Sequence, residues 1–199
     1  MKVKLLLIII LAAVVSFTGT KAEKNGRRYE MSAGAGVWST GNVAFILGDV
    51  FLNAVNIAGA VNFEKHTASP VYHVSCKYFP RQRFGIGVTL AAGLEKATGK
   101  VENQNDGNLK RFYTNMALEP SYYYLNRRNF KLYVLFGAGI LYLHQDYTPY
   151  NRDKKVQNLY TADFQFTPLG IKVGNTLGAY LEGGIGYKGI VSLGAFYRF

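Results

Sequence analysis

His73-Val74-Ser75 places a histidine and a serine on one side of an extended chain, the arrangement that a general base and a serine nucleophile require. A third group to orient the base is missing at short distance. Glu95, Glu119 and Glu182 could reach it only through folding. His66, His73 and His144 do not have the spacing of metal ligands, so no metal and no cofactor is expected. Gly137-Ala138-Gly139 lies inside an alternating segment and not between a strand and a helix, so it is not a phosphate loop. Cys76 is the single cysteine and has no partner.

A second set of residues carries more weight. Glu30, Glu95, Glu119, Asp163 and Glu182 fall in phase with the small and polar residues of their segments, and so do Lys77, Arg111, Lys131, Lys172, Lys188 and Arg198. Five acids against six bases on one face suggest a neutralised network of ion pairs, because unpaired charges in an enclosed space are costly.

The elements that must position these residues are strands. From Tyr29 onward the chain alternates with period two in segments of roughly 9–16 residues. In the last segment Val191, Leu193, Ala195, Tyr197 and Phe199 share one face. Ser192, Gly194 and Arg198 share the other, with Ile190 and Phe196. An earlier segment sets Phe130, Leu132, Val134, Phe136, Ala138 and Ile140 against Lys131, Tyr133, Gly137 and Gly139. Another sets Leu177, Ala179, Leu181, Ile185 and Tyr187 against Tyr180, Glu182 and Lys188. Beyond Pro168 a bulge near Gly170 is needed to return Ile171 and Val173 to the apolar face. Eight strands result.

Composition sets the outer bounds. The chain is 49% hydrophobic with one cysteine, which excludes a disordered chain and a disulfide scaffold. Lys2 and Lys4, the apolar run Leu5 to Val15 and the small-residue stretch ending at Ala22 have the order of a secretory signal peptide, with cleavage after Ala22. Of the 23 basic residues Lys2, Lys4 and Lys21 lie in that segment and no acid does, leaving 20 against 12 and a net charge of +8. An exported basic chain is expected to meet anionic lipid or polysaccharide; nucleic acid is not expected as a partner.

Connections alternate in length. Residues 38–69, 97–109 and 145–157 are long, whereas Pro80–Arg83, Asn126–Asn129 and Gly174–Thr176 are tight. Only Lys188-Gly189 breaks the rule on the long side. This is the loop asymmetry of an outer-membrane barrel with both termini periplasmic. The apolar face carries more bulky side chains than an eight-stranded interior, which holds roughly a dozen, can accept. It therefore points outward from a barrel; a two-sheet sandwich with that face inside is the alternative. Glycines such as Gly34, Gly85, Gly93 and Gly194 lie on the polar face, where they make room for tyrosine and arginine in a narrow lumen. Tyr29, Tyr72, Tyr78, Phe84, Phe112, Tyr122, Tyr124, Phe130, Tyr142, Tyr160, Tyr187, Tyr197 and Phe199 fall near strand ends on the apolar face, as interfacial girdles do.

The terminal Tyr197-Arg198-Phe199, with apolar residues at every second position back to Val191, resembles the signal by which bacterial outer-membrane proteins are recognised for barrel assembly. With the leader and eight strands, residues 27–199 resemble the small outer-membrane β-barrel family of OmpA membrane domains, OmpX and OmpW. The resemblance implies an all-β fold, an eight-stranded antiparallel up-and-down transmembrane barrel over residues 23–199, after a cleaved signal at 1–22. It also implies outer-membrane lipid and lipopolysaccharide as surroundings, the barrel-assembly machinery as a partner during biogenesis, and a monomer. The long outer loop 38–69 departs from the simplest members. Within it, the apolar positions of residues 43–61, Leu47, Val50, Phe51, Ala54, Ile57 and Ala58 among them, fit one side of a helix. An extra hairpin there, making ten strands, is the alternative.

His73 and Ser75 also resemble the His-x-Ser arrangement of the outer-membrane lipid A deacylases, which implies a lipid-modifying enzyme as the alternative function. That family's site faces lipid near the rim, whereas the alternation here points both residues inward. Lumen lining is the reading taken, with no catalytic residue. The expected role is structural, surface-interacting or that of a narrow pore.

Overall fold

A computed structural model describes residues 28–40, 62–101, 104–149 and 155–199. The proposed signal peptide, residues 1–22, and the segment 43–61 lie outside the described residues. Alternation yields strands β1 Tyr29–Val37, β2 Asn62–Ala68, β3 Val71–Arg81, β4 Phe84–Val101, β5 Gln104–Asn126, β6 Phe130–Pro149, β7 Lys155–Gly174, β8 Leu177–Gly186 and β9 Val191–Arg198. Neighbouring strands pair antiparallel in the order β1-β3-β4-β5-β6-β7-β8-β9. β9 returns to β1, pairing Glu30 with Arg198 and Val37 with Val191. Tyr29 and Phe199 exchange backbone hydrogen bonds of 3.0 and 2.9 Å at the seam. The ring from β1 through β9 is closed, as a sandwich is not, while β2 and the part of β7 before Phe164 pair on one side only among the described residues.

β2 and β3 occupy a single place in the ring. β2 pairs with β4 from Glu95 to Lys100, and β3 pairs with the same strand from Phe84 to Ala92. Pro70, which has no N–H to offer a ladder, marks the break between them. Ser69 spans it: its amide donates to the Leu94 carbonyl at 2.9 Å, and the Leu94 amide donates to Ser69 Oγ at 3.0 Å. The barrel is therefore eight-stranded, and β2 takes seven residues of the connection expected over 38–69.

The other long connections are also mostly strand. β4 to β7 contain 18, 23, 20 and 20 residues, against 10 and 8 in β8 and β9. About 9–11 residues suffice to cross a bilayer, so the β4–β7 wall stands well above the β8–β9–β1 wall. These extensions read as loops in the sequence because residues 97–109 and 145–157, rich in Asn, Gln, Asp and Lys, carry no sustained apolar alternation to reveal a strand. The predicted bulge occurs as a register shift between Phe166 and Leu169, and it returns Val173 to the outside.

Apolar side chains face outward. Tyr72, Met116, Ile140, Ile185 and Leu193 are each more than 60% exposed, with Leu90, Leu118, Phe136, Phe164 and Leu181 between them. A soluble protein rarely shows contiguous apolar patches beyond a few hundred Å². Here the exposed set runs around the wall. No helix among the described residues is long and apolar enough to cross a membrane.

Two face assignments need correction. Tyr187, placed with the girdle, is 2% exposed and points into the lumen. Gly186 adopts φ 144° as β8 ends, so alternation stops and Tyr187 and Lys188 are buried in succession. Ile190, grouped with the polar face, is exposed in the turn that follows.

Candidate functional site

The site is the lumen, and it is filled in three tiers. At the tight-turn end, Glu30 on β1 accepts from Arg198 on β9, Nη2 at 2.6 Å and Nε at 3.1 Å, and from Lys172 on β7. Lys172 also donates to Tyr123 Oη at 3.1 Å and lies 4.9 Å from the Tyr133 ring centroid and 5.3 Å from that of Phe196. A buried ammonium thus has a carboxylate and aromatic faces around it, the surroundings that offset its desolvation. Arg198 stacks over Phe79 at 4.6 Å. Lys131 closes this tier from below, donating to the carbonyls of Arg128 and Gly174 at 3.1 and 3.0 Å.

The middle tier is built on two carboxylates. Glu119 on β5 meets Lys188 Nζ at 2.7 Å and Lys77 Nζ on β3 at 3.5 Å, and accepts from Tyr187 Oη at 2.7 Å. Glu182 on β8 meets Lys188 Nζ at 3.3 Å and accepts from Tyr133 Oη at 2.6 Å. Glu119, Glu182, Lys77 and Lys188 are all at most 3% exposed. Two acids and two bases make this tier neutral, and its bonds join strands from opposite sides of the ring.

In the upper tier Glu95 and Arg111 approach to 3.6 Å and Arg111 donates to Gln145 at 2.9 Å. Asp163 accepts from Asn115 Nδ2 at 3.0 Å and from Thr40 Oγ1 at 3.0 and 3.1 Å. Thr40 arrives there because Trp38 takes φ 57°, a left-handed conformation rare for a bulky residue. The chain leaving β1 thereby bends over the mouth, where Ser39 is fully buried 3.1 Å from Tyr113 Oη.

His73 and Ser75 both face the lumen, at 3% and 7% exposure. They are not partners. His73 Nε2 lies 2.7 Å from Ser192 Oγ on β9, and Ser75 Oγ lies 2.7 Å from Thr89 Oγ1 on β4. Each hydrogen bond satisfies a buried polar group. Among the described residues no His, Cys, Asp and Glu group could hold a metal ion. Val191, Leu193 and Tyr197, in the terminal pattern, lie on the outer surface at 42%, 63% and 44% exposure, and Ala195 and Phe199 continue the row.

Sequence reasoning missed the buried aromatics Phe79, Tyr113 and Tyr123, which share the lumen with the charges. A signal was present: Gly93 faces Tyr113 across β4–β5, as Gly170 faces Tyr133 across β6–β7 and Gly194 faces Tyr180 across β8–β9. An in-phase glycine opposite a tyrosine marks an inward ring.

No family model and no curated protein matches the chain. Among solved structures it is similar to the attachment invasion locus protein Ail of Yersinia pestis, at 12% identity and a TM-score of 0.44 over 86% of this chain and 97% of that one.

Proposed function

We propose that this chain is an integral protein of the bacterial outer membrane, a closed barrel that acts through its structure and its exposed outer segments and not by catalysis. The observation that carries the reading is the outward belt of large apolar side chains on a closed barrel, which only hydrocarbon can cover around the full circumference. The tight turns and the Tyr29–Phe199 end of the β1–β9 seam face the periplasm, and the tall end of the β4–β7 wall faces the cell exterior. The row Val191, Leu193, Ala195, Tyr197 and Phe199 serves barrel assembly, and lipid with lipopolysaccharide surrounds the wall.

Of the structural, surface-interacting and pore roles, the first two have the better support. Glu119, Glu182, Lys77 and Lys188 bridge the lumen at mid-height and Thr40 and Ser39 cover its mouth. A lipid-modifying role gains nothing from His73 and Ser75, which lie inside the tube, away from the surface that acyl chains touch.

Membrane fractionation tests the reading. The protein is expected in the outer-membrane fraction, extractable only with detergent, migrating faster on gels unboiled than boiled. Recovery of folded protein from soluble periplasm would overturn it.

A further inference from the structure

The tight-turn rim is chemically lopsided. Arg28 precedes β1, Arg81 and Arg83 flank the β3–β4 turn, and Arg127 and Arg128 form the β5–β6 turn. All five are exposed. β1, β3, β4, β5 and β6 are consecutive in the ring, so these guanidiniums follow one continuous arc covering about half of the rim. The remaining described rim, Gly174-Asn175-Thr176 and the β9 end, contributes only Arg198, which is turned inward onto Glu30.

The arc has no acid of its own. Glu30 is the one acidic side chain among the described residues at this end, and it is 1% exposed and committed to Lys172 and Arg198. The turns are also tied together. Asn126 Nδ2 donates to the Gln82 carbonyl at 2.6 Å, the Tyr123 amide to the Arg83 carbonyl at 2.8 Å, and the Phe79 amide to the Arg28 carbonyl at 2.7 Å. Five like charges thus share one arc on a fixed backbone scaffold, a local positive field that draws anions.

What the arc faces follows from its height. Tyr29, Tyr78, Phe84, Tyr122, Tyr124 and Phe130, on the same strands, are 36–47% exposed on the outer wall one to a few residues from the arginines. Aromatic side chains in that position sit at headgroup level, so the guanidiniums beside them stand where lipid phosphates lie. Guanidinium forms paired, charge-assisted hydrogen bonds to phosphate oxygens. We infer that this arc is a binding surface for the phosphate headgroups of anionic phospholipid in the leaflet at the tight-turn end. The inference rests on the membrane-barrel reading above and adds the lipid class and the residues that hold it.

The test uses the protein inserted into vesicles of phosphatidylcholine and phosphatidylglycerol in equal amounts, extracted gently, with retained lipid identified by native mass spectrometry. Retention of phosphatidylglycerol over phosphatidylcholine by about fivefold is expected, falling as salt is raised. Combined Arg81→Gln, Arg83→Gln, Arg127→Gln and Arg128→Gln brings the ratio close to parity, whereas Gly183→Ala, away from the arc, leaves it unchanged. No preference in the parent protein, a preference indifferent to salt, or one kept by the fourfold variant would overturn the inference. So would selective capture of inorganic phosphate or soluble peptidoglycan fragments with no lipid preference. Protein that inserts, judged by heat-modifiable migration, yet shows no preference defeats this inference alone; protein that does not insert defeats the barrel reading as well.

Discussion

Tyr133 covers Gly170 directly across the β6–β7 ladder, and a methyl group at residue 170 would collide with the ring. The ring in turn presents its hydroxyl to Glu182 at 2.6 Å. One missing side chain therefore sets the position of a buried carboxylate's partner. Gly170→Ala is expected to destabilise the barrel by about 1–3 kcal/mol, as overpacking does. Gly183→Ala, where the added group meets nothing closer than 3.9 Å, is expected to be close to neutral. Urea unfolding of both variants in vesicles checks the contrast.

Glu119 holds the middle tier, with Lys77, Lys188 and Tyr187 all directed at it. Glu119→Gln leaves two buried ammoniums with Glu182 as their one carboxylate in this tier, and a loss of about 3–5 kcal/mol is expected. Adding Lys188→Met to the first change removes one of those charges and is expected to recover part of the loss. Equal unfolding midpoints for Glu119→Gln and the parent would show that the network carries no stability.

Leu193 is 63% exposed, on the strand that closes the barrel, with Leu181 and Ala35 beside it. In a bilayer Leu193→Arg is expected to cost about 2–4 kcal/mol, the range for a cation on the lipid face near mid-depth. In a soluble protein the same exchange at an exposed site would stay within about 0.5 kcal/mol. Folding yield into vesicles, followed by heat-modifiable migration, separates the two.

His73→Ala with Ser75→Ala removes the only short-spaced histidine and serine that attracted a catalytic reading. The lipid A acylation pattern of cells carrying the double variant, read by mass spectrometry, is expected to match that of the parent. Stability is expected to fall by about 1–3 kcal/mol per site, because Ser192 and Thr89 each lose a buried partner.

Much of this protein was legible in its sequence because a strand's two faces meet different media. An apolar outer surface and a packed polar lumen impose period two, and Leu193 against Ser192, or Ile140 against Gly139, records which side each residue serves. Strand number and the tight turns followed from the same alternation. It failed where its physical cause failed. The β4–β7 extensions lack an apolar alternation and looked like loops, and Gly186 broke the phase at β8, so Tyr187 was assigned to the wrong side.

Pairing across the lumen was beyond the sequence. Alternation assigns a side chain to the lumen but not to a height or a neighbour, and both depend on the stagger of strands around the closed ring. Glu30 meets Lys172 and Arg198 from 142 and 168 residues away, and His73 meets Ser192 instead of Ser75. The five rim arginines are scattered over a hundred residues of chain and become one arc only because successive tight turns lie side by side at the same end of the barrel. The sequence by itself determined the outer and inner faces of most strands, wherever the alternation was unbroken; closure of the ring decided which residues touch.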